Sequence, residues 1–105
     1  KFTSVVIAKT TPATPKVTVT SPKAKQVKVK WKGLASASGY EVYRSTSKNG
    51  KYTLVKTINK RSTVIYVNKK LKSNKTYYYK VRAFKSSKGV KTYGSYSSAK
   101  KIKVK

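Results

Sequence analysis

The sequence predicts an all-β protein, a seven-stranded antiparallel two-sheet sandwich, and three observations point to it. Leu71–Phe84, LKSNKTYYYKVRAF, alternates strictly: Tyr77, Tyr79, Val81 and Ala83 fall on one face, and Tyr78, Lys80 and Arg82 on the other. Period-two alternation marks a half-buried strand. Short runs of this kind recur along the chain with turn signals about every 8–12 residues, the rhythm of a sandwich. No segment carries a helical period with caps. Leu71 also stands six residues before Tyr77. Such a Leu plugs the base of a core while the Tyr ring packs beside it and its hydroxyl reaches back to the turn, the arrangement called a tyrosine corner.

The elements follow in order. Lys1–Lys9, KFTSVVIAK, is an apolar strand-like run, and Thr10–Pro15, TTPATP, is a linker whose two Pro favour extended backbone. Residues 1–14 are therefore expected to be a segment apart, and residues 15–105 the domain proper. Lys16–Thr20 is the first strand, closed by Ser21-Pro22. Lys25–Lys32 is the second, with Val27, Val29 and Trp31 inward and Lys28, Lys30 and Lys32 outward. After the Gly33–Gly39 loop, Tyr40–Arg44 is the third strand, with Tyr40 and Val42 inward and Glu41 and Tyr43 outward. Lys48-Asn49-Gly50-Lys51 signals a tight hairpin, because Asn-Gly tolerates positive φ. Tyr52–Ile58 returns as the fourth strand, and Thr63–Asn68 is the fifth. Leu71–Phe84 supplies the sixth. Lys85–Thr92 reads as a polar loop, and Tyr93–Lys105 ends in a seventh strand, where Ile102 and Val104 alternate with lysines.

Trp31 on the second strand, GYEVYR at Gly39–Arg44, Leu71 with Tyr77, and YKVRAF at Tyr79–Phe84 together resemble a fibronectin type III domain, from Pro15 to about Lys105. The resemblance implies an immunoglobulin-like sandwich with sheets A-B-E and C′-C-F-G and with Trp31 central in the core. Trp31, Leu71 and Tyr77 are its structural residues. Asn74 stands where Pro-Gly often occurs in the E–F turn of that family. The Lys- and Tyr-rich style of YRSTSKNGKYTLVKTI resembles tandem repeats in surface proteins of Gram-positive bacteria. Lys1–Val5 also echoes Ser95–Ala99 at an offset of 94 residues, about one such domain. Lys1–Lys9 is accordingly expected to be the end of a preceding repeat. A chain that opens on Lys1 and contains no Met reads as a fragment or a mature product.

Composition bounds the chemistry. There is no Cys, His or Asp, and Glu41 is the lone carboxylate. Paired acid–base catalysis needs two titratable groups near neutrality, a Ser triad needs a base and its orienter, and zinc or calcium needs ligands that are missing here. The sequence thus predicts no enzyme, no metal and no cofactor. The absence of Cys fits a reducing compartment or a bacterial cell surface. No apolar run is long enough for a membrane-spanning helix.

Twenty-seven Lys and Arg against one acid give a net charge of +26. The lysines lie along every strand, which favours non-specific attraction to polyanions. The same distribution equally suits solubility, since edge lysines deter sheet-to-sheet pairing. The outer face of the C-F-G sheet is the candidate binding site. Strand parity places Tyr43, Tyr78, Lys80 and Arg82 there, with Lys101 and Lys103 beside them, an array that could stack on sugars or bases and meet phosphate. Glu41 shares that face and is expected to form a minor surface ion pair with Arg82 or a Lys. The Lys85–Thr92 segment contains no acid, so an Arg-Gly-Asp adhesion motif is absent, and Asn74-Lys75-Thr76 is a chance glycosylation pattern. The expected role is a non-catalytic spacer or display module in a secreted, cell-wall-associated bacterial protein, with neighbouring domains of the same chain as partners. The alternative is a module that binds anionic envelope polymer or carbohydrate.

Overall fold

Alternation along the chain becomes two stacked sheets. The computed structural model describes residues 14–35 and 37–105. Among them are eight strands: β1 Val17–Thr20, β2 Val27–Trp31, β3 Gly39–Ser45, β4 Thr53–Ile58, β5 Ile65–Asn68, β6 Thr76–Ser87, β7 Val90–Tyr93 and β8 Lys100–Lys103. β1, β2 and β5 form one sheet in the order β1-β2-β5. The other runs β4-β3-β6-β7, with β8 also on β6. Every pairing is antiparallel. The strand-like segment Lys1–Lys9 and the first four residues of the Thr10–Pro15 linker lie outside the described residues. No described helix is long and apolar enough to cross a membrane.

The inward residues expected from parity are the core. Val27, Val29, Tyr40, Val42, Tyr79, Val81 and Ala83 are fully buried, and Trp31 is 2% exposed. The Trp31 and Tyr40 rings pack at 5.3 Å between centroids. A buried phenol needs a partner for its hydroxyl, and each core Tyr has one. Tyr40 donates to the Arg61 carbonyl at 2.8 Å and accepts from the Leu34 amide at 2.9 Å. Tyr79 donates to Asn68 Oδ1 at 2.7 Å, an oxygen that also accepts from Arg44 Nη1 at 2.9 Å. That pair of bonds ties the five-stranded sheet to β5. Tyr77 accepts from the Lys72 amide at 3.5 Å, the outer limit of a hydrogen bond, with Leu71 buried beneath it. The tyrosine corner is where the Leu–Tyr spacing places it.

Two connections differ from expectation. Lys85–Thr92 is a ribbon rather than a polar loop: Lys85 pairs with Thr92, Ser86 with Lys91 and Ser87 with Val90. Lys88 and Gly89 make the turn with φ of 51° and 79°, and two consecutive positive φ values match the twist of a hairpin. Polarity alone suggested a loop, but an exposed ribbon needs only backbone pairing and a suitable turn. Conversely, Asn49-Gly50 makes no tight hairpin. Neither residue has positive φ, and residues 46–52 form a wider loop. Its backbone is held by Gly50 N–H to the Ser47 carbonyl (3.1 Å), Ser47 N–H to Ser45 Oγ (3.1 Å) and the Tyr52 hydroxyl to the Lys48 carbonyl (2.9 Å).

The strand count is eight because the expected Lys85–Thr92 loop contributes β7, and β8 is the expected last strand, reached after backbone that leaves the ladder. The stretch still follows β6. Gly94 N–H donates to Ala83, and Ser97 N–H to Val81. The Val81 amide donates at 3.0 Å to Ser97 Oγ, a side-chain oxygen standing in for a ladder carbonyl.

The sandwich has two distinct poles. Val17 pairs with Trp31 at one of them. At the other, Lys25 N–H donates to the Lys105 carbonyl (2.9 Å), Lys105 N–H to Ser21 Oγ (3.0 Å), Asn74 N–H to the Val104 carbonyl (2.7 Å) and Val104 N–H to the Lys75 carbonyl (2.9 Å). Asn74 has φ 64°, the left-handed conformation that Asn tolerates better than most residues.

Candidate functional site

The outer face of the five-stranded sheet carries all six candidate residues. Register sets Glu41 opposite Arg82, Tyr43 opposite Lys80 and Ser45 opposite Tyr78. Across β8, Tyr78 faces Lys101 and Thr76 faces Lys103. Tyr43, Lys80 and Arg82 meet at the centre. Tyr78, Lys101 and Lys103 lie along the β8 flank, and no hydrogen bond of the central cluster reaches them.

The centre is a closed triangle. Arg82 Nε donates to Glu41 Oε1 at 2.8 Å, the Tyr43 hydroxyl donates to the same oxygen at 2.9 Å, and Arg82 Nη2 donates to the Tyr43 hydroxyl at 3.1 Å. The expected minor surface ion pair is instead largely covered: the Glu41 side chain is 7% exposed and that of Arg82 21%. Aromatic rings provide the cover. The guanidinium lies 3.9 Å from the Tyr93 centroid and 4.8 Å from that of Tyr96. Lys80 Nζ sits between two rings, 4.1 Å from Tyr96 and 4.2 Å from Tyr52. The result is an interleaved file of rings and cations, Tyr52–Lys80–Tyr96–Arg82–Tyr93. Phe84 continues it at the Trp31 pole, buried beneath Tyr93 and Lys91. Gly39 lies directly across from Phe84, and a Cβ there would strike the Phe84 ring and the Ile58 carbonyl.

Burial, then contact with Tyr96 and Glu41, pushes the Tyr43 phenol well above its ordinary range. Tyr43 therefore stays a neutral donor to the carboxylate. Burial would lower the Arg82 pKa, but the hydrogen bond and charge of Glu41 outweigh it, and the net shift is upward. Burial, and secondarily the Tyr78 phenol, raise the pKa of Tyr52.

Tyr52, Tyr93, Tyr96 and Phe84 are the members that sequence reasoning missed. Continuing the alternation past Arg82 puts Phe84 outward, and its partner Tyr93 with it. Tyr52 was hidden by a register shift between Val42 and Tyr43 in the β3–β4 pairing. Tyr96 belongs to the interrupted stretch, where parity has no meaning.

Chemically, the cluster is mostly self-contained. Its two central cations are held by a carboxylate and by ring faces. Tyr43 and Tyr96 meet edge-on, at 84° and 5.1 Å, so they form no flat platform for a sugar or a base. No group of three or more His, Cys, Asp or Glu assembles among the described residues.

No family model matches the sequence, and no curated protein does. Solved structures do. A Fn3-like protein from Clostridium thermocellum is 25% identical, covers 93% of this chain and 95% of its own, and superposes with a TM-score of 0.70. The sixth fibronectin type III domain of human fibronectin type III domain containing protein 3 is 19% identical over 92% of this chain and 89% of its own, with a TM-score of 0.71. The FN1–FN3 domains of chicken CNTN1 are 23% identical, match 87% of this chain over 30% of theirs, and give a TM-score of 0.70.

Proposed function

The chain has the fibronectin type III fold, and from that premise we propose that it is a non-catalytic spacer or display module of a secreted, cell-wall-associated bacterial multidomain protein. The observation that carries this reading is the position of the two chain ends. β1 starts beside Trp31 at one pole, and Lys105 is bonded to Ser21 and Lys25 at the other. A sandwich threaded pole to pole adds its length to any array that contains it. The lone carboxylate is tied to Arg82 and Tyr43, which leaves no acid–base pair for catalysis. The match to a clostridial Fn3-like protein supports a bacterial setting.

The alternative, capture of anionic polymer or carbohydrate on the Tyr43–Arg82 face, is favoured by the partial exposure of Tyr93 and Tyr96, 38% each. Engagement of Lys80 and Arg82 within the cluster weighs against it.

Antibodies raised against the chain should label intact cells of the source bacterium and follow the wall fraction. Small-angle scattering of the chain with its neighbouring domains should give an elongated particle. Recovery in the cytoplasmic fraction, or a compact particle with the poles packed side by side, would overturn the reading.

A further inference from the structure

The outer face of the three-stranded sheet differs from the aromatic face in one decisive respect: among the described residues, its lysines meet no carboxylate and no aromatic ring. On β2, Lys28 and Lys30 alternate with buried Val27, Val29 and Trp31, so they project outward, and Lys32 continues the row. Side chains two residues apart on a strand stand about 6.8 Å from each other. Lys16 precedes the Val17–Trp31 pair and so lies beside Lys32. The row is flanked on one side by the exposed hydroxyls of Thr18 and Thr20, which pair with Lys30 and Lys28, and on the other by Ile65 and Val67. Two shallow depressions mark its ends. One of about 410 Å³ is lined by Lys16, Thr18, Lys30, Trp31 and Lys32. The other, of about 310 Å³, is lined by Pro22, Lys23, Gln26, Lys28 and Val67. The only carboxylate of the chain is on the opposite sheet.

We infer that this face is a track for a linear, non-aromatic phosphodiester polymer of the poly(glycerol phosphate) type. Ammonium groups in file, with hydroxyl donors alongside, present a complementary line of charge and hydrogen bonds. Six backbone bonds separate successive phosphorus atoms in such a polymer, a repeat of about 7 Å when extended, near the lysine spacing. Single-stranded nucleic acid has a similar backbone repeat, but it gains much of its affinity from base stacking on aromatic side chains. The outward positions of β1, β2 and β5 hold no ring, since Tyr66 pairs with Val29 and packs against the core. A lipid surface would call for apolar insertion, and the flanking Ile65 and Val67 lie at the margin, not the tip.

The test compares two fourfold variants of the whole chain with equal net charge. One carries Lys16→Gln, Lys28→Gln, Lys30→Gln and Lys32→Gln. The other carries Lys48→Gln, Lys56→Gln, Lys85→Gln and Lys88→Gln, on the opposite sheet and its turns. All eight positions are at least partly exposed, so both variants should fold, which circular dichroism checks. Binding of a labelled poly(glycerol phosphate) of about twenty units is followed against salt concentration. The track variant should weaken binding at least tenfold at physiological salt and make the salt slope shallower by about 3, near 0.7 per contact for a flexible strand. The control should lose less than threefold. Twenty-residue oligothymidylate and phosphatidylglycerol vesicles should be weakened equally by the two variants. Equal losses with poly(glycerol phosphate) would reduce the effect to diffuse charge and overturn the inference. A larger track effect on oligothymidylate or on vesicles would overturn it too, by assigning the face to nucleic acid or to membrane.

Discussion

Glu41 shows how much can rest on one side chain. It is the sole acid among 105 residues, and it accepts from both Arg82 and Tyr43 under a cover of rings. Removing one partner of a covered ion pair costs more than the pair contributes, because the other charge is left behind. Glu41→Gln should lower stability by about 2 kcal/mol, a figure moderated by the fifth of Arg82 that water still reaches. Urea unfolding would measure it, and an unchanged midpoint would show that the rings alone hold Arg82. Tyr79 offers a pH test. Burial pushes its phenol above the ordinary value of 10.0, so the unfolded chain ionises first. Above about pH 10 the folded state keeps a proton that the unfolded state has released, and stability falls with rising pH. Below that value the contribution is fully present. Tyr79→Phe should cost about 1 kcal/mol at neutral pH, through the lost bond to Asn68. The gap to the parent should then narrow between about pH 10 and 11. A constant gap would mean that the phenol titrates normally.

At the scale of elements, the turns at the Lys105 pole hold three residues with positive φ: Lys25, Lys70 and Asn74, at 60°, 60° and 64°. A Cβ makes this conformation cost roughly 1 kcal/mol, and Gly avoids that at some entropic expense. Lys25→Gly and Lys70→Gly should each stabilise the fold by about 0.5 kcal/mol, while Asn74→Gly should change little. A lower melting temperature in both lysine variants would show that their side chains contribute more than their backbone costs. None of this strain is legible in a sequence where Lys is everywhere. What was legible is what alternation can encode: the strands β1 to β6, the inward residues of β2, β3 and β6, and the Leu71–Tyr77 corner. Parity also found the Tyr43–Lys80–Arg82 centre. It failed where register slips, as at Val42/Tyr43, and where backbone leaves the ladder, as around Tyr96. Local turn codes misled in both directions, because Asn49-Gly50 is overruled by neighbouring side-chain bonds and Lys88-Gly89 was masked by polarity.

For the molecule as a whole, charge is the unfavourable term that sets this chain apart, added to the conformational entropy that every fold must overcome. Two unit charges about 10 Å apart repel by roughly 0.4 kcal/mol in water, and a net charge of +26 multiplies such pairs against a typical total stability of about 5–15 kcal/mol. Physiological salt shortens the reach of each charge to about 8 Å. Raising NaCl from about 10 to 300 mM should lift the melting temperature by several degrees, since about 1 kcal/mol corresponds to roughly 4–8 °C in a domain of this size. Calorimetry at the two salt concentrations would settle it, and an unmoved transition would mean that the lysines already stand too far apart to matter. The path of the backbone has a mechanical corollary. β1 and β8 both run from the Trp31 pole towards the Lys105 pole, each hydrogen-bonded along its flank, to β2 and to β6. Tension between Thr14 and Lys105 would therefore load those ladders in shear, so that their bonds resist together instead of unzipping one after another.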